Sequence, residues 1–228
     1  MKILAVDTAS FPASVAIMDN GIVLGEYVIR NQRKHSQNIM VMIERLLDDL
    51  SVNISEIDVF AVTTGPGSFT GLRIGISTVR ALAQATGKPV VAVNTLEVLA
   101  HNVEVFDGII VPMLDARRDE VFTAAYSLRD SRREIIAPCV MTINEIIEKY
   151  KDEKVMFIGD GALMHRDELA VNDFLFAPMQ SMETRAVSLC AVAYKKATDN
   201  ELMDYNAVRP LYLRKSQAER EYERKKDL

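Results

Sequence analysis

The block Gly65-Pro66-Gly67-Ser68-Phe69-Thr70-Gly71-Leu72-Arg73-Ile74-Gly75 is the most specific chemical feature of the chain. It follows an apolar run and opens a helical pattern, the setting in which backbone N–H groups and the helix dipole attract anions. No Gly-Lys-Ser/Thr closes it, so it is not a P-loop, and its spacing does not match GxGxxG after the first strand. Ser68 and Thr70 could cap the helix, and Gly71 and Gly75 would let another helix or a ligand come close. Two readings stand side by side: a phosphate cradle built from Gly65, Gly67, Ser68, Thr70 and Gly71, and tight packing without a ligand. Asp7-Thr8 closes the first apolar run. An aspartate at a strand end facing a crevice can hold hydrated Mg²⁺ on a nucleotide phosphate; it can equally cap the following turn.

The other reactive residues argue mainly by what they lack. His35, His101 and His165 have no His or Cys at i+3 or i+4, which speaks against a protein zinc or iron site. No serine sits in a G-x-S-x-G elbow, so acyl-enzyme chemistry has no support. Asp115-Ala116-Arg117-Arg118-Asp119-Glu120 is a dense charge cluster after a strand. It reads as a solvated turn with local ion pairs or as a group facing a crevice, because strand C-termini line crevices in α/β sheets.

The elements that carry these residues follow from hydrophobic spacing. Apolar runs predict strands over 3–6, 14–18 and 22–29, the last two joined by an Asn20-Gly21 hairpin turn. A helix is expected over 36–50 with Ser36 as N-cap, a strand over 58–63, then a helix from the glycine block to Thr86, closed by Gly87. A strand over 89–93 and a helix over 95–102 complete the first half. The pattern then restarts after a boundary near 101–108. Strands are expected over 109–114, 120–127, 134–141 and 155–158, a helix over 144–150 and a Gly159-Asp160-Gly161 turn. A last helix over 184–198 carries Val187, Cys190, Ala191 and Tyr194 on one face. Crossover helices between such strands imply a mixed α/β sheet.

Helix 36–50 is more apolar than an ordinary surface helix. Ile39, Met42, Ile43, Leu46, Leu47 and Leu50 make a core stripe, and Met40 and Val41 widen it. That arc implies burial on two sides, either against a partner or wholly within the monomer.

Composition excludes further classes. The 228 residues carry 27 Lys+Arg against 32 Asp+Glu, a net charge of −5, too acidic for a stand-alone nucleic-acid binder. No apolar run approaches the roughly 20 residues of a membrane span, and the first strand is too short for a signal h-region. Cys139 and Cys190 form no CxxC pair, which suits a reducing cytosol. The tail 209–228 is different, with seven basic and four acidic residues: a frayed terminus or a basic arm.

With Asp7-Thr8, the block from Thr63 to Gly75 and Asp115-Ala116-Arg117-Arg118-Asp119-Glu120-Val121 in place, the chain resembles the TsaB (YeaZ) family over nearly its whole length. The resemblance implies a two-lobed actin-like fold (ASKHA, RNase H-like), α/β with mixed sheets flanked by helices around a crevice. It implies a first lobe over 1–103, a reduced second lobe over 104–208 and the tail 209–228. It further implies a cytoplasmic, non-catalytic subunit that pairs with TsaD and supports the ATPase TsaE in forming N6-threonylcarbamoyladenosine in tRNA. Such a subunit meets tRNA only through the complex and pairs with itself when TsaD is absent. No cofactor of its own is implied; ATP or ADP would enter only at the junction with TsaD. TsaD-like chains carry a metal-binding His-x-x-x-His whose positions fall here on Thr95 and Leu99, neither of which replaces imidazole. The resemblance places the interface on Ile39, Met42, Ile43, Leu46 and Leu47, beside Leu72, Ile76, Val79 and Arg80. The rival class is a small ATP-dependent phosphotransferase of the same fold, with Asp7 for Mg²⁺ and the loop 65–71 for phosphates.

Overall fold

The computed structural model describes residues 1–30, 35–128, 133–170 and 172–214. The first half runs β1 (Lys2–Asp7), β2 (Ala13–Asp19), β3 (Ile22–Ile29), α1 (His35–Asp49), β4 (Val59–Gly65), α2 (Phe69–Thr86), β5 (Val90–Asn94) and α3 (Thr95–Ala100). The second runs β6 (Ile109–Asp115), β7 (Glu120–Ser127), β8 (Arg133–Thr142), α4 (Ile143–Tyr150), β9 (Val155–Ile158), α5 (Asp160–Met164), α6 (Arg166–Leu169), β10 (Leu175–Phe176) and α7 (Ala186–Thr198). Each half builds a five-stranded mixed sheet, ordered β3-β2-β1-β4-β5 and β10-β9-β6-β7-β8. The two orders are the same topology, so the restart in the sequence is a structural repeat. The second copy is the smaller, its β9 and β10 having four and two residues.

Local chemistry explains the boundaries. Asn20 and Gly21 take φ of 47° and 84°, the pair of positive values that a two-residue hairpin needs. Helix α2 begins at the Ser68 cap and stops at Gly87, whose left-handed conformation sends its N–H back to Ala83 O. Thr142 and Glu145 cap α4 reciprocally. Helix α1 starts at His35, one residue before the expected cap. Gly159-Asp160-Gly161 is not a free turn: Asp160 starts α5, and its carboxylate accepts from Gly161 N at 2.8 Å. Among the described residues, no helix is long and apolar enough to cross a membrane.

Four core layers hold the sheets. Helices α1 and α2 cover one face of the first sheet, setting Ile39, Ile43, Ile76 and Val79 on Leu4, Val6, Val15 and Ile17. Helix α7 covers the other face, where Leu189, Cys190 and Ala193 meet Ile3, Ala5 and Ala16. On the second sheet, α4 packs Ile143, Ile146 and Tyr150 against Val111, Val121 and Phe157. Helix α3 covers its opposite face with Leu96, Leu99 and Ala100. Helices α3 and α7 are joined by Lys196 Nζ and Glu97 Oε1 at 3.5 Å.

Two expectations change here. The helix expected in the second lobe belongs to the first: α7 turns Ala186, Leu189, Cys190 and Ala193 onto small residues of β1 and β2, while Val187, Ala191 and Tyr194 of the expected face are only half-buried. The chain also returns to the first sheet beyond α7, where Val90 and Met203 exchange backbone hydrogen bonds and Val208 enters the core. The stretch 104–208 is therefore not one lobe. Most of the residues expected at an interface lie in the core. Ile39, Met42, Ile43, Leu46, Leu72, Ile76 and Val79 are buried inside this chain, because the sheet covers one side of the α1 arc and α2 the other. Leu47 and Arg80 are half-buried, and the apolar side chains that α1 leaves exposed are Met40 and Val41.

Candidate functional site

The carboxyl ends of β1, β4 and β6 meet around a crevice of about 610 Å³, walled by Thr8–Phe11 and 67–71 from the first half and by 114–117, Phe122 and Asp160 from the second. Open α/β sheets place their ligands at this position.

The glycine block lies against its own chain. Ser68 N donates to Ala9 O at 2.7 Å, Thr8 Oγ1 donates to Gly71 O at 2.7 Å, and Ser68 Oγ caps Gly71 N at 3.2 Å. A Cβ at Gly67 would lie 2.3 Å from Ala9 O, at Gly71 2.0 Å from Thr8 O, and at Gly75 2.4 Å from Thr8 Oγ1. The glycines admit the β1–β2 connection rather than another helix, and two of the N–H groups a phosphate would need are already spent. Of the two readings of this block, tight packing is the one the geometry satisfies.

Asp7 lies beneath that connection and is fully buried. Its Oδ1 accepts from Thr63 Oγ1 at 2.7 Å and from Ala9 N at 3.0 Å, so it caps the turn. Its Oδ2 has no hydrogen-bond donor among the described residues. Burial pushes the carboxyl above its ordinary range. The bonds from Thr63 and Ala9 oppose that, as does the nearby Thr184 hydroxyl, which makes its own hydrogen bond with Ser10 Oγ. With Thr8, Ala9 and Ser10 forming the crevice wall in front of it, Asp7 does not fit a hydrated Mg²⁺ on a crevice nucleotide.

The charge cluster turns out to be both a turn and a crevice wall. Arg117, Arg118 and Asp119 take φ of 64°, 61° and 59°, three left-handed non-glycine residues in a row. Asp115 Oδ1 holds Arg117 N at 2.6 Å and Ala116 N donates to Glu120 O at 3.0 Å. Strain of this kind persists only where surroundings over-determine it. Asp115 and Arg117 line the crevice, and Glu120 pairs with Arg214. Sequence reasoning missed Phe11, Phe122 and Arg214 in this wall, and Tyr212 behind Phe69. It placed Arg214 in a tail, yet Leu211 N donates to Thr64 O at 2.7 Å and Tyr212 stacks on Phe69. The tail residues 215–228 lie outside the described residues.

Thr95 and Leu99 are fully buried on α3, one turn apart. His165 is buried with Nδ1 2.8 Å from Glu168 Oε1, and the His35 side chain lies outside what is described. Among the described residues, no three His, Cys, Asp or Glu side chains cluster as metal ligands. The Cys190 thiol, buried between α7 and the first sheet, is pushed well above the ordinary thiol range by that burial.

Two repeated mixed sheets, helices between and outside them and a crevice at the strand ends define an actin-like protein. The ethanolamine utilization protein EutJ of Carboxydothermus hydrogenoformans shares this fold at a TM-score of 0.53 and 12% identity, covering 84% of this chain and 90% of that one. A family model described as "TsaD: tRNA N6-adenosine threonylcarbamoyltransferase" matches residues 23–222. The Bacillus subtilis "tRNA threonylcarbamoyladenosine biosynthesis protein TsaB" is 33% identical over 226 residues, 96% of each chain. YeaZ from Pseudomonas aeruginosa superposes at a TM-score of 0.81 with 28% identity, over 93% of this chain and 99% of that one. The chain belongs to the TsaB (YeaZ) family, within the wider TsaD group.

Proposed function

We propose that this chain is a non-catalytic subunit in the synthesis of N6-threonylcarbamoyladenosine in tRNA, and that it works by pairing with a TsaD transferase and supporting TsaE. Involvement in that synthesis rests on the name of its Bacillus relative. The non-catalytic role rests on one observation: the positions of the TsaD-like metal histidines are Thr95 and Leu99, both fully buried, with Leu99 packed against the second sheet. At these two positions α3 has no imidazole to present.

The partner surface we propose is the outer face of α1, where Met40 and Val41 are 48% and 42% exposed, together with the half-buried Leu47 and Arg80 on α2. The same face would serve a homodimer when TsaD is absent, since an isologous patch accepts a related fold or its own copy. The subunit carries no nucleotide of its own; ATP or ADP joins at the junction with TsaD, and the protein acts in the cytoplasm. Reconstitution tests this reading. Purified chain mixed with TsaD and TsaE is expected to form a complex on sizing and to restore threonylcarbamoyladenosine formation, and Met40→Asp with Val41→Asp is expected to abolish both. Activity in TsaD and TsaE without this chain, or a complex unaffected by the double variant, overturns it. Calorimetry with Mg·ATP is expected to give heat only after TsaD is added; tight binding by the isolated chain, lost in Asp7→Ala, would install the phosphotransferase instead.

A further inference from the structure

The segment 208–214 touches both walls of the crevice. It leaves the first lobe at Val208, which is buried in the core beside α2. Leu211 extends the end of β4 through its N–H to Thr64 O at 2.7 Å. Gly65 makes room for it: with φ of +118°, a Cβ there would lie 2.6 Å from Leu211 O. The next residue, Tyr212, stacks on Phe69 with ring centroids 4.5 Å apart and accepts from Arg73 Nε at 3.1 Å. Two residues later, Arg214 crosses to the second lobe, donating to Ala116 O and pairing with Glu120. Its landing point is the strained turn 117–119, and its side chain forms part of the crevice wall.

These contacts are ordered along the chain as anchor, stack and hook. Leu211 and Tyr212 bind the first-lobe groups Thr64 O, Phe69 and Arg73, and Arg214 reaches the second-lobe groups Ala116 O and Glu120. Breaking the hook alone would release this crossing at the crevice mouth, where α3 does not reach, while leaving the first-lobe anchor and the α3 packing in place. We propose that the segment 208–214 is an interlobe latch that fixes the width of the crevice mouth, with Arg214 as the releasable hook. The half-buried pair of Arg214 and Glu120 also makes the latch sensitive to substitution at either end. This inference is independent of the partner reading.

The test labels Ser77→Cys on α2 and Glu148→Cys on α4, both exposed, in a Cys139→Ser background, and measures the interlobe distance distribution by electron paramagnetic resonance. The intact latch is expected to give one narrow distribution. Arg214→Ala is expected to broaden it toward longer distances and to speed exchange of the Leu211 amide by about tenfold. Arg214→Glu combined with Glu120→Arg is expected to narrow the distribution again relative to Arg214→Glu alone, a rescue that simple packing would not give. Glu120→Gln keeps the hook and its main-chain bond while removing the paired charge, so it carries the test should Arg214→Ala fail to fold. Unchanged distributions and exchange in folded Arg214→Ala and Tyr212→Ala proteins overturn the latch.

Discussion

Strands β1 and β6 occupy the same place in the two repeats, and each ends in an aspartate, yet the two ends have become different devices. Asp7 is sealed, bonded to Thr63 and Ala9 N, and roofed by a helix of 18 residues whose Gly71 and Gly75 press onto Thr8, with Gly67 ahead of it against Ala9. Asp115 is half-exposed, holds the strained turn 117–119, and faces a helix of five residues begun by Asp160, whose Oδ1 accepts Asp115 N at 3.2 Å. The repeat supplies the geometry of a strand end at a crevice. Residue choice then makes the first end rigid packing and the second an accessible, polar, latched wall. A symmetrical nucleotide clamp needs both ends open, and here one is closed by its own chain.

The sharpest way to break this contrast is to add a methyl group to each end. Gly71→Ala sets a Cβ 2.0 Å from the Thr8 carbonyl oxygen, a backbone atom that cannot swing aside. It should cost about 3 kcal/mol or more of stability. The corresponding change in the second half, Gly161→Ala, meets its neighbours at 3.0 to 3.1 Å and should cost only about 1 kcal/mol. Denaturant midpoints of the two variants decide the point. Equal losses would mean that the first end is no tighter than the second.

The two sides of α1 offer the next contrast. Ile43→Ala empties a fully buried position and should cost about 2–4 kcal/mol, while Met40→Ala on the outer face should change stability by less than about 0.5 kcal/mol. A large loss from Met40→Ala would return that side chain to the core. This helix also marks how far the sequence can be read. Its apolar arc, its length and the two-sided burial were legible, but periodicity says nothing about whether α2 or another molecule covers the second side. The strand sequence and the repeat were legible for the same local reason, since strands and hairpin turns are written in adjacent residues. Arg214 was not, because its partner Glu120 is distant in sequence and no local pattern links them. Helix α7 was placed in the wrong lobe because a small-residue face fits either sheet; its burial on Ala5 and Ala16 is a matter of shape. The glycine block revealed close approach but not the identity of the approaching group.

Charge separates the two strand ends by pH. Burial holds the Asp7 carboxyl above its ordinary range in the folded chain, so the native state binds this proton more tightly than the unfolded state does. Stability contributed by this group is therefore lost as pH rises from the ordinary carboxylate range through the raised folded value, and it stays lost above. Asp7→Asn keeps an acceptor for Thr63 and Ala9 N and cannot ionise. It should match the parent in acid and be the more stable protein at neutral pH, the gap opening as pH rises through that window. Asp115→Asn, at the half-exposed end, should shift stability by less than about 0.5 kcal/mol at pH 7. Thermal midpoints of both variants across pH provide the check, and an Asp7→Asn protein weaker than its parent at neutral pH would mean that the buried carboxylate is compensated by a group outside these contacts.

A modest gain in stability tests the crossing between the lobes. Thr95 lies fully buried on α3, and its Oγ1 has no hydrogen-bond partner among the described residues. A buried hydroxyl without a partner costs its desolvation and returns nothing. Replacing it by an isosteric methyl group removes the cost and preserves the local packing. Thr95→Val should therefore leave the fold unchanged and raise stability by up to about 1 kcal/mol, and it should leave assembly with TsaD intact. A loss of assembly or of stability would show that this hydroxyl retains a polar task on α3, and the purely structural account of that helix would have to be given up.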